Sequence, residues 1–182
     1  RGLKLLGITE HAPKMPGSCH EFYFQNLKVV DRQMCGVELL LGAELNIMDP
    51  DGTVDLPDTI LKIGKYAFAK GTNLRKISIP DSCSEIGKAA FFGCKMLEEV
   101  KLPSNLKYLE NYTFSNCENL KYVYISGNLE KIGAYVFEGC TSLKELNFGG
   151  TAQEWLELTK YYSDTLYLNT NIERIICIDE VI

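Results

Sequence analysis

The side chains able to do chemistry are few and unevenly placed. Only two histidines occur, His11 and His20, and both lie within the first 20 residues. His11 follows the apolar run 3–9, and Glu44 sits inside a second apolar run, 37–47. Polar groups at the C-terminal ends of buried parallel strands are where α/β barrels place their chemistry. His20 lies in the loop Pro16-Gly17-Ser18-Cys19-His20 and is read as a solvated loop residue. Seven cysteines invite a disulfide reading, but the number is odd and no Cys-x-x-Cys pair exists to build a zinc knuckle. Cys94, Cys117 and Cys140 instead recur every 23 residues. A free thiol packs as a small hydrophobe, so this column is read as core, with disulfides the minor alternative. No Ser/His/Asp arrangement, phosphate-binding loop or dinucleotide fingerprint is present.

The cysteine spacing belongs to a larger pattern that must position everything after about residue 54. Ile63-Gly64-Lys65-Tyr66-Ala67-Phe68, Ile86-Gly87-Lys88-Ala89-Ala90-Phe91, Leu109-Glu110-Asn111-Tyr112-Thr113-Phe114 and Ile132-Gly133-Ala134-Tyr135-Val136-Phe137 align at a strict period of 23. Leu74, Leu97, Leu120 and Leu143 form a further column; Ile77, Val100, Val123 and Leu146 form another, and Ile79, Leu102, Ile125 and Phe148 a third. A unit this short cannot bury a core alone, but stacked units share one. The apolar pairs alternate with polar residues, the signature of a short strand with one face buried. Stacking would make a parallel ladder rising about 4.8 Å per unit. Pro80 and Pro103 close the strand in two units. The stretch between strands is expected to be a tight turn or short helix inserting Phe68, Phe91, Phe114 and Phe137 into the core. Asn111-Tyr112-Thr113 fits a glycosylation sequon, but Thr113 falls in a core column and the match is discounted.

Such a stack needs closed ends. Thr151-Ala152-Gln153-Glu154 fits a capping box, which would open an amphipathic helix through Trp155 to Tyr161. A last strand is expected over residues 173–178. The strand face turned away from the core carries Asp55, Ser78, Lys101, Tyr124 and Asn147 as one ladder, flanked by Lys76, Glu99, Tyr122 and Glu145. Ser78, Lys101, Tyr122, Tyr124 and Asn147 are the candidate partner-binding residues, because exposed tyrosines are typical anchors of interfaces. A merely solvated polar face, with tyrosines packing across strands, is the plainer alternative.

Composition bounds the function. Hydrophobic residues make up 46% and charged residues 24%, a globular balance. A net charge of -5 argues against a general nucleic-acid binder, which needs excess Lys and Arg. No apolar run approaches the ~18 residues of a membrane span, so no membrane insertion is expected. No signal peptide is visible, which makes a cytoplasmic location the default. The chain opens at Arg1 rather than Met, as a piece of something longer would.

From about residue 54 to 182 the chain resembles the BspA-type leucine-rich repeat proteins, through the unit Ile-Pro-Asp…Ile-Gly-x-x-Ala-Phe…Cys-x-x-Leu. The closing segments Gly149-Gly150-Thr151-Ala152-Gln153-Glu154-Trp155 and Ile176-Cys177-Ile178-Asp179 are also similar to that family. The third unit departs with Leu109-Glu110 in place of Ile-Gly. The resemblance implies a non-enzymatic module that binds a protein or glycan, and a cell-surface role.

Residues 1–57 lack the 23-residue phase and read as strand, helix, strand, the βαβ pattern of a parallel sheet. Gly7-Ile8-Thr9-Glu10-His11-Ala12-Pro13 and Gly42-Ala43-Glu44-Leu45-Asn46-Ile47, followed by Asp51-Gly52-Thr53-Val54-Asp55, resemble the polymerase-and-histidinol-phosphatase (PHP) family of metal-dependent phosphoesterases. That resemblance implies His11 as a metal ligand and Glu44 as a bridging carboxylate for zinc, iron or manganese. The opening His-x-His motif is absent, and no histidine follows His20. A catalytic zinc site takes about three protein ligands. His11 and Glu44 are therefore read as vestigial, with no cofactor and no catalytic residue expected.

The sequence thus predicts a β-rich leucine-rich-repeat solenoid with a truncated α/β fragment before it. Three segments are expected: the fragment at 1–57, four full repeats at 54–150, and a capping helix and strand at 151–182. Leu56-Pro57-Asp58 sits 23 residues before Ile79-Pro80-Asp81, so the junction satisfies both patterns. Two unrelated coding sequences are read as joined there, by recombination or by an assembly error. The alternative function is a PHP-type phosphoesterase whose missing ligands lie outside this chain.

Overall fold

The computed structural model describes residues 38–39 and 52–182, apart from positions 57, 72 and 162. Within them the chain winds into a solenoid with two parallel sheets. The larger sheet contains β2 (Thr53–Asp55), β4 (Lys76–Ser78), β6 (Glu99–Lys101), β8 (Tyr122–Ile125), β10 (Glu145–Phe148) and β11 (Arg174–Ile176), side by side in that order. The second sheet stacks two-residue strands: β1 (Glu38–Leu39), β3 (Lys62–Ile63), β5 (Glu85–Ile86), β7 (Tyr108–Leu109) and β9 (Lys131–Ile132). Register follows the repeat: Ile77 lies beside Val100, Val100 beside Val123, and Val123 beside Leu146. The second sheet is a finding beyond the sequence expectation, which assigned no strand to these residues.

Strand length follows proline. The two units carrying Pro80 and Pro103 stop after three residues, whereas β8 and β10, without that proline, run to four. Proline has no N–H to give the ladder, so pairing ends ahead of it. Ile79 and Leu102 both follow strands cut short in this way; Ile79 is half-buried, whereas Leu102, like Ile125 and Phe148, is buried.

The core is a set of columns. Val54, Ile77, Val100, Val123, Leu146 and Ile175 come from the larger sheet, and Ile63, Ile86, Leu109 and Ile132 from the second. Between them Phe68, Phe91, Phe114 and Phe137 stack at centroid distances of 5.2, 5.2 and 6.0 Å with nearly parallel rings. Burying each ring contributes on the order of 2–3 kcal/mol. Cys94, Cys117 and Cys140 are fully buried free thiols. Their Sγ atoms donate to the carbonyls of Phe68, Phe91 and Phe114 one coil back, at 2.9, 3.2 and 3.1 Å.

The connecting stretch is a turn and not a helix. Its peptide N–H groups alternate: Ala90 and Phe92 donate three residues back, while Ala89, Phe91 and Gly93 donate to the next coil. That alternation requires left-handed backbone at two columns. Tyr66, Ala89, Tyr112 and Tyr135 form the first (φ 55 to 61°); Lys70, Gly93, Asn116 and Gly139 form the second (φ 60 to 71°). A left-handed non-glycine residue costs roughly 1–2 kcal/mol. The cost is offset because each such turn presents its N–H groups to the neighbouring coil.

The C-terminal end is closed by α1 (Ala152–Thr159) and α2 (Ser163–Leu166). The capping box forms as expected: Thr151 Oγ1 accepts from the N–H of Glu154, and the Glu154 carboxylate accepts from the N–H of Thr151 at 2.7 Å. Trp155, buried, packs at a tilt against Phe148 (5.1 Å) and donates from Nε1 to Tyr167 Oη at 3.0 Å. Past β11 the chain turns back, so that Ile175 and Ile182 exchange two backbone hydrogen bonds.

Candidate functional site: the outward face of the larger sheet

Side chains alternate along each strand, so one residue of every central strand points into the core and its two neighbours point out. Two outward columns result. Thr53, Lys76, Glu99, Tyr122, Glu145 and Arg174 form one; Asp55, Ser78, Lys101, Tyr124, Asn147 and Ile176 form the other. The register places Lys101, Tyr124 and Asn147 on three adjacent strands, and Tyr122 two residues from Tyr124 on the same strand. Ser78 lies further along, beside Asp55. The five candidate residues thus share one face, with four of them clustered around β8.

Tyr122 and Tyr124 are 59% and 42% exposed, which sets them apart from the buried Val123 between them. Tyr124 is held on both sides. The Lys101 ammonium lies 5.8 Å from its ring centre, and its hydroxyl reaches over Gly149 on the next coil, where an added Cβ would come within 2.7 Å of Oη. Glycine at 149 is needed for that close approach.

Charges in the first outward column are paired within it. Lys76 bridges to Glu99, and Arg174 to Glu145, each across one strand spacing. The hydrogen bond to Glu99 raises the Lys76 pKa. At the edge, the backbone N–H of Ser104 donates to Asp81 at 2.7 Å and holds its carboxyl below the usual range. A shallow groove of about 560 Å³ crosses the strands here, bordered by Pro80, Asp81, Lys101, Tyr122, Tyr124 and Asn147. Pro80 and Asp81 were not among the candidate partner-binding residues read from the sequence. They follow the strand rather than belong to it, so alternation does not reveal them.

A second groove, about 730 Å³, lies on the other sheet between Lys65 and Tyr66 on one coil and Lys107, Tyr108 and Glu110 two coils on. Further along that side, Tyr112 and Tyr135 stack at 5.0 Å, with Lys88 5.7 Å above the Tyr112 ring. Sequence reasoning missed this groove, because its walls come from residues two coils apart and only Tyr66 belongs to the tyrosine-bearing column.

His11 and Glu44 lie outside the described residues. Among the described residues no group of three or more His, Cys, Asp or Glu side chains could hold a metal ion, and no helix is long and apolar enough to cross a membrane.

Two sets of known proteins resemble the chain. Over 62 residues it is 55% identical to a probable phosphatase of Thermoanaerobacter sp., covering 34% of this chain and 25% of that protein. Over 57 residues it is 54% identical to a probable phosphatase of Clostridium botulinum, covering 31% and 24%. The chain therefore spans about a quarter of the length of the curated relatives it matches. Among solved structures, a leucine-rich repeat protein of Bacteroides capillosus superposes with a TM-score of 0.55 at 27% identity, over 63% of this chain and 88% of that one. The T. pallidum leucine rich repeat protein gives 0.56 at 26%, over 65% and 55%. The pneumococcal vaccine antigen PcpA shares the fold, with a TM-score of 0.59 at 19% identity over 77% of this chain and 44% of that one. The repeat itself matches in six copies over residues 52–167, well over half of the sequence, and the chain belongs to the BspA type leucine rich repeat region family.

Proposed function

We propose that this chain is a non-enzymatic interaction module that engages a protein or glycan through the outward face of the larger sheet, with Ser78, Lys101, Tyr122, Tyr124 and Asn147 at its centre. The observation that carries this reading is the exposed pair Tyr122 and Tyr124, fixed on a strand whose backbone is paired on both sides. With the backbone already ordered, only the side-chain freedom of the two tyrosines is lost when a partner covers them. The test is binding of the purified chain to immobilised laminarin, galactomannan, alginate and gelatin. Wild type is expected to retain at least one of these, and the double variant Tyr122→Ala/Tyr124→Ala to lose it while keeping its circular dichroism. Equal retention by both proteins would move the binding surface elsewhere.

The likeness to probable phosphatases supports a second reading, in which a PHP-type phosphoesterase segment occupies residues 1–57 and its missing ligands come from outside this chain. The imidazole of His11 and the carboxylate of Glu44 are suitable donors for zinc, iron or manganese. Two donors fall short of the three or so that a catalytic zinc site takes. Metal content by mass spectrometry and hydrolysis of p-nitrophenyl phosphate would decide. Near-stoichiometric metal with turnover abolished by Glu44→Ala would favour the enzyme, and metal-free inactive protein the interaction module.

A further inference from the structure

The outward face also narrows the chemistry of its ligand, and this inference rests on the interaction reading above. Six strands at about 4.8 Å spacing make the face about 24 Å long, and the two outward residues of each strand make it about 10 Å wide. That is a flat footprint of about 250 Å², longer than it is wide. A narrow strip of this shape suits a thin, linear ligand. An extended peptide would dock by adding a strand, but the backbone N–H and C=O groups of β4, β6, β8 and β10 are committed to neighbouring strands on both sides.

Charge sharpens the choice. The lysine, arginine and glutamates of the first outward column are paired with one another across adjacent strands, Lys76 with Glu99 and Arg174 with Glu145. Lys101 lies over Tyr124 and faces the Asp81 carboxylate across the groove, where it helps hold that group ionised. The face therefore presents no field of one sign to steer a polyanion or a polycation. Beside the opposite charges of Asp55 and Lys101, the second column and Tyr122 present two phenols borne on alternate residues of β8, whose Cα atoms lie about 6.8 Å apart, with the Asn147 amide on the next strand and the Ser78 hydroxyl two strands away. Flat aromatic faces beside uncharged donors and acceptors match a sugar ring, whose axial C–H groups form an apolar face and whose rim carries hydroxyls.

We infer that the face binds a neutral linear polysaccharide, with a sugar ring laid across Tyr122 and Tyr124 and its hydroxyls met by Asn147 and Lys101. The Lys101 ammonium over the Tyr124 ring and the seat of its hydroxyl at Gly149 reduce the ordering that binding requires.

The experiment is affinity electrophoresis of the whole chain in gels containing laminarin or galactomannan, with alginate as the polyanionic control and gelatin as the peptide control. Wild type is expected to be retarded by a neutral polysaccharide, with affinity changed less than about twofold between 50 and 500 mM salt, since no ion pair is formed. Tyr122→Ala and Tyr124→Ala should each weaken retardation at least about tenfold, and Tyr122→Phe should preserve it. Unchanged thermal melting of each variant separates loss of contact from loss of fold. Tyrosine-dependent binding to gelatin alone would overturn the glycan assignment and leave the interaction reading intact. Salt-sensitive binding to alginate alone would overturn it as well. Retardation equal in wild type and the double alanine variant would overturn both.

Discussion

At the residue scale, the cysteine column shows how burial decides chemistry. Desolvation pushes the thiols of Cys94 and Cys140 up to about 12 and raises Cys117 well above the ordinary thiol range. A thiol that does not ionise is a poor nucleophile, so these three are packing groups. The folded chain keeps protons that the unfolded chain releases above about pH 8.5. Stability is therefore expected to fall as pH rises from about 9 toward 12, by roughly 1.4 kcal/mol per pH unit for each buried thiol. Urea titrations across that range would measure the slope, and a Cys117→Ala variant should show a shallower one. Ellman's reagent at pH 8 should leave the three thiols unlabelled until denaturant is added. A different residue-scale test concerns Lys70, which holds a left-handed conformation in a column where Gly93 and Gly139 stand in other coils. Lys70→Gly should raise stability by about 0.5–1 kcal/mol, because relief of backbone strain outweighs the added freedom of the unfolded chain. An unchanged or lowered melting temperature would show that the lysine stem packs well enough to offset the strain.

At the element scale, the C-terminal cap does what no repeat can do for itself. Trp155 covers Phe148, and its indole N–H fixes Tyr167, whose hydroxyl proton is held up to about 12 chiefly by burial. Trp155→Ala removes the only tryptophan and is expected to cost about 3–5 kcal/mol, read by thermal melting at 222 nm. Thr151→Ala removes one half of the capping box and should cost about 1 kcal/mol, read with the native tryptophan fluorescence. A cap that merely lies on the stack would show neither loss. The helix and its box were legible in Thr151-Ala152-Gln153-Glu154 because capping is a local hydrogen-bond geometry. The two-residue strands of the second sheet were not. A pair such as Lys62–Ile63 shows no period of its own, and becomes a strand only when the next coil lies beside it.

At the scale of the whole molecule, the polar exterior repeats the nearest-neighbour logic of the core. Lys62–Glu85, Arg75–Glu98, Lys95–Glu118, Lys107–Glu130 and Lys121–Glu98 each join residues 23 apart, on successive coils. All are exposed and screened by water, so they add little to stability and chiefly fix register. If stability is a sum over coils and their interfaces, deleting one whole coil should be tolerated. Removal of residues 86–108 is expected to leave a cooperative, β-rich fold with a lowered melting temperature. Removal of 11 residues from the same coil should abolish cooperative unfolding, because every later column would meet the wrong neighbour. Scanning calorimetry of the two deletions would distinguish them, and loss of cooperativity in both would refute the additive description.

The sequence by itself determined the period, the inward columns and the helix that closes the stack, because each is a pattern of residue types at fixed spacing. It also named Tyr122 and Tyr124 as outward, since alternation along a strand needs no knowledge of the rest of the chain. Only the tertiary structure decided what surrounds Tyr124, because the ammonium of Lys101 and the bare backbone of Gly149 come from neighbouring coils. It alone revealed the second sheet and the left-handed turns, whose hydrogen bonds run to the next coil and do not exist until the coils are stacked.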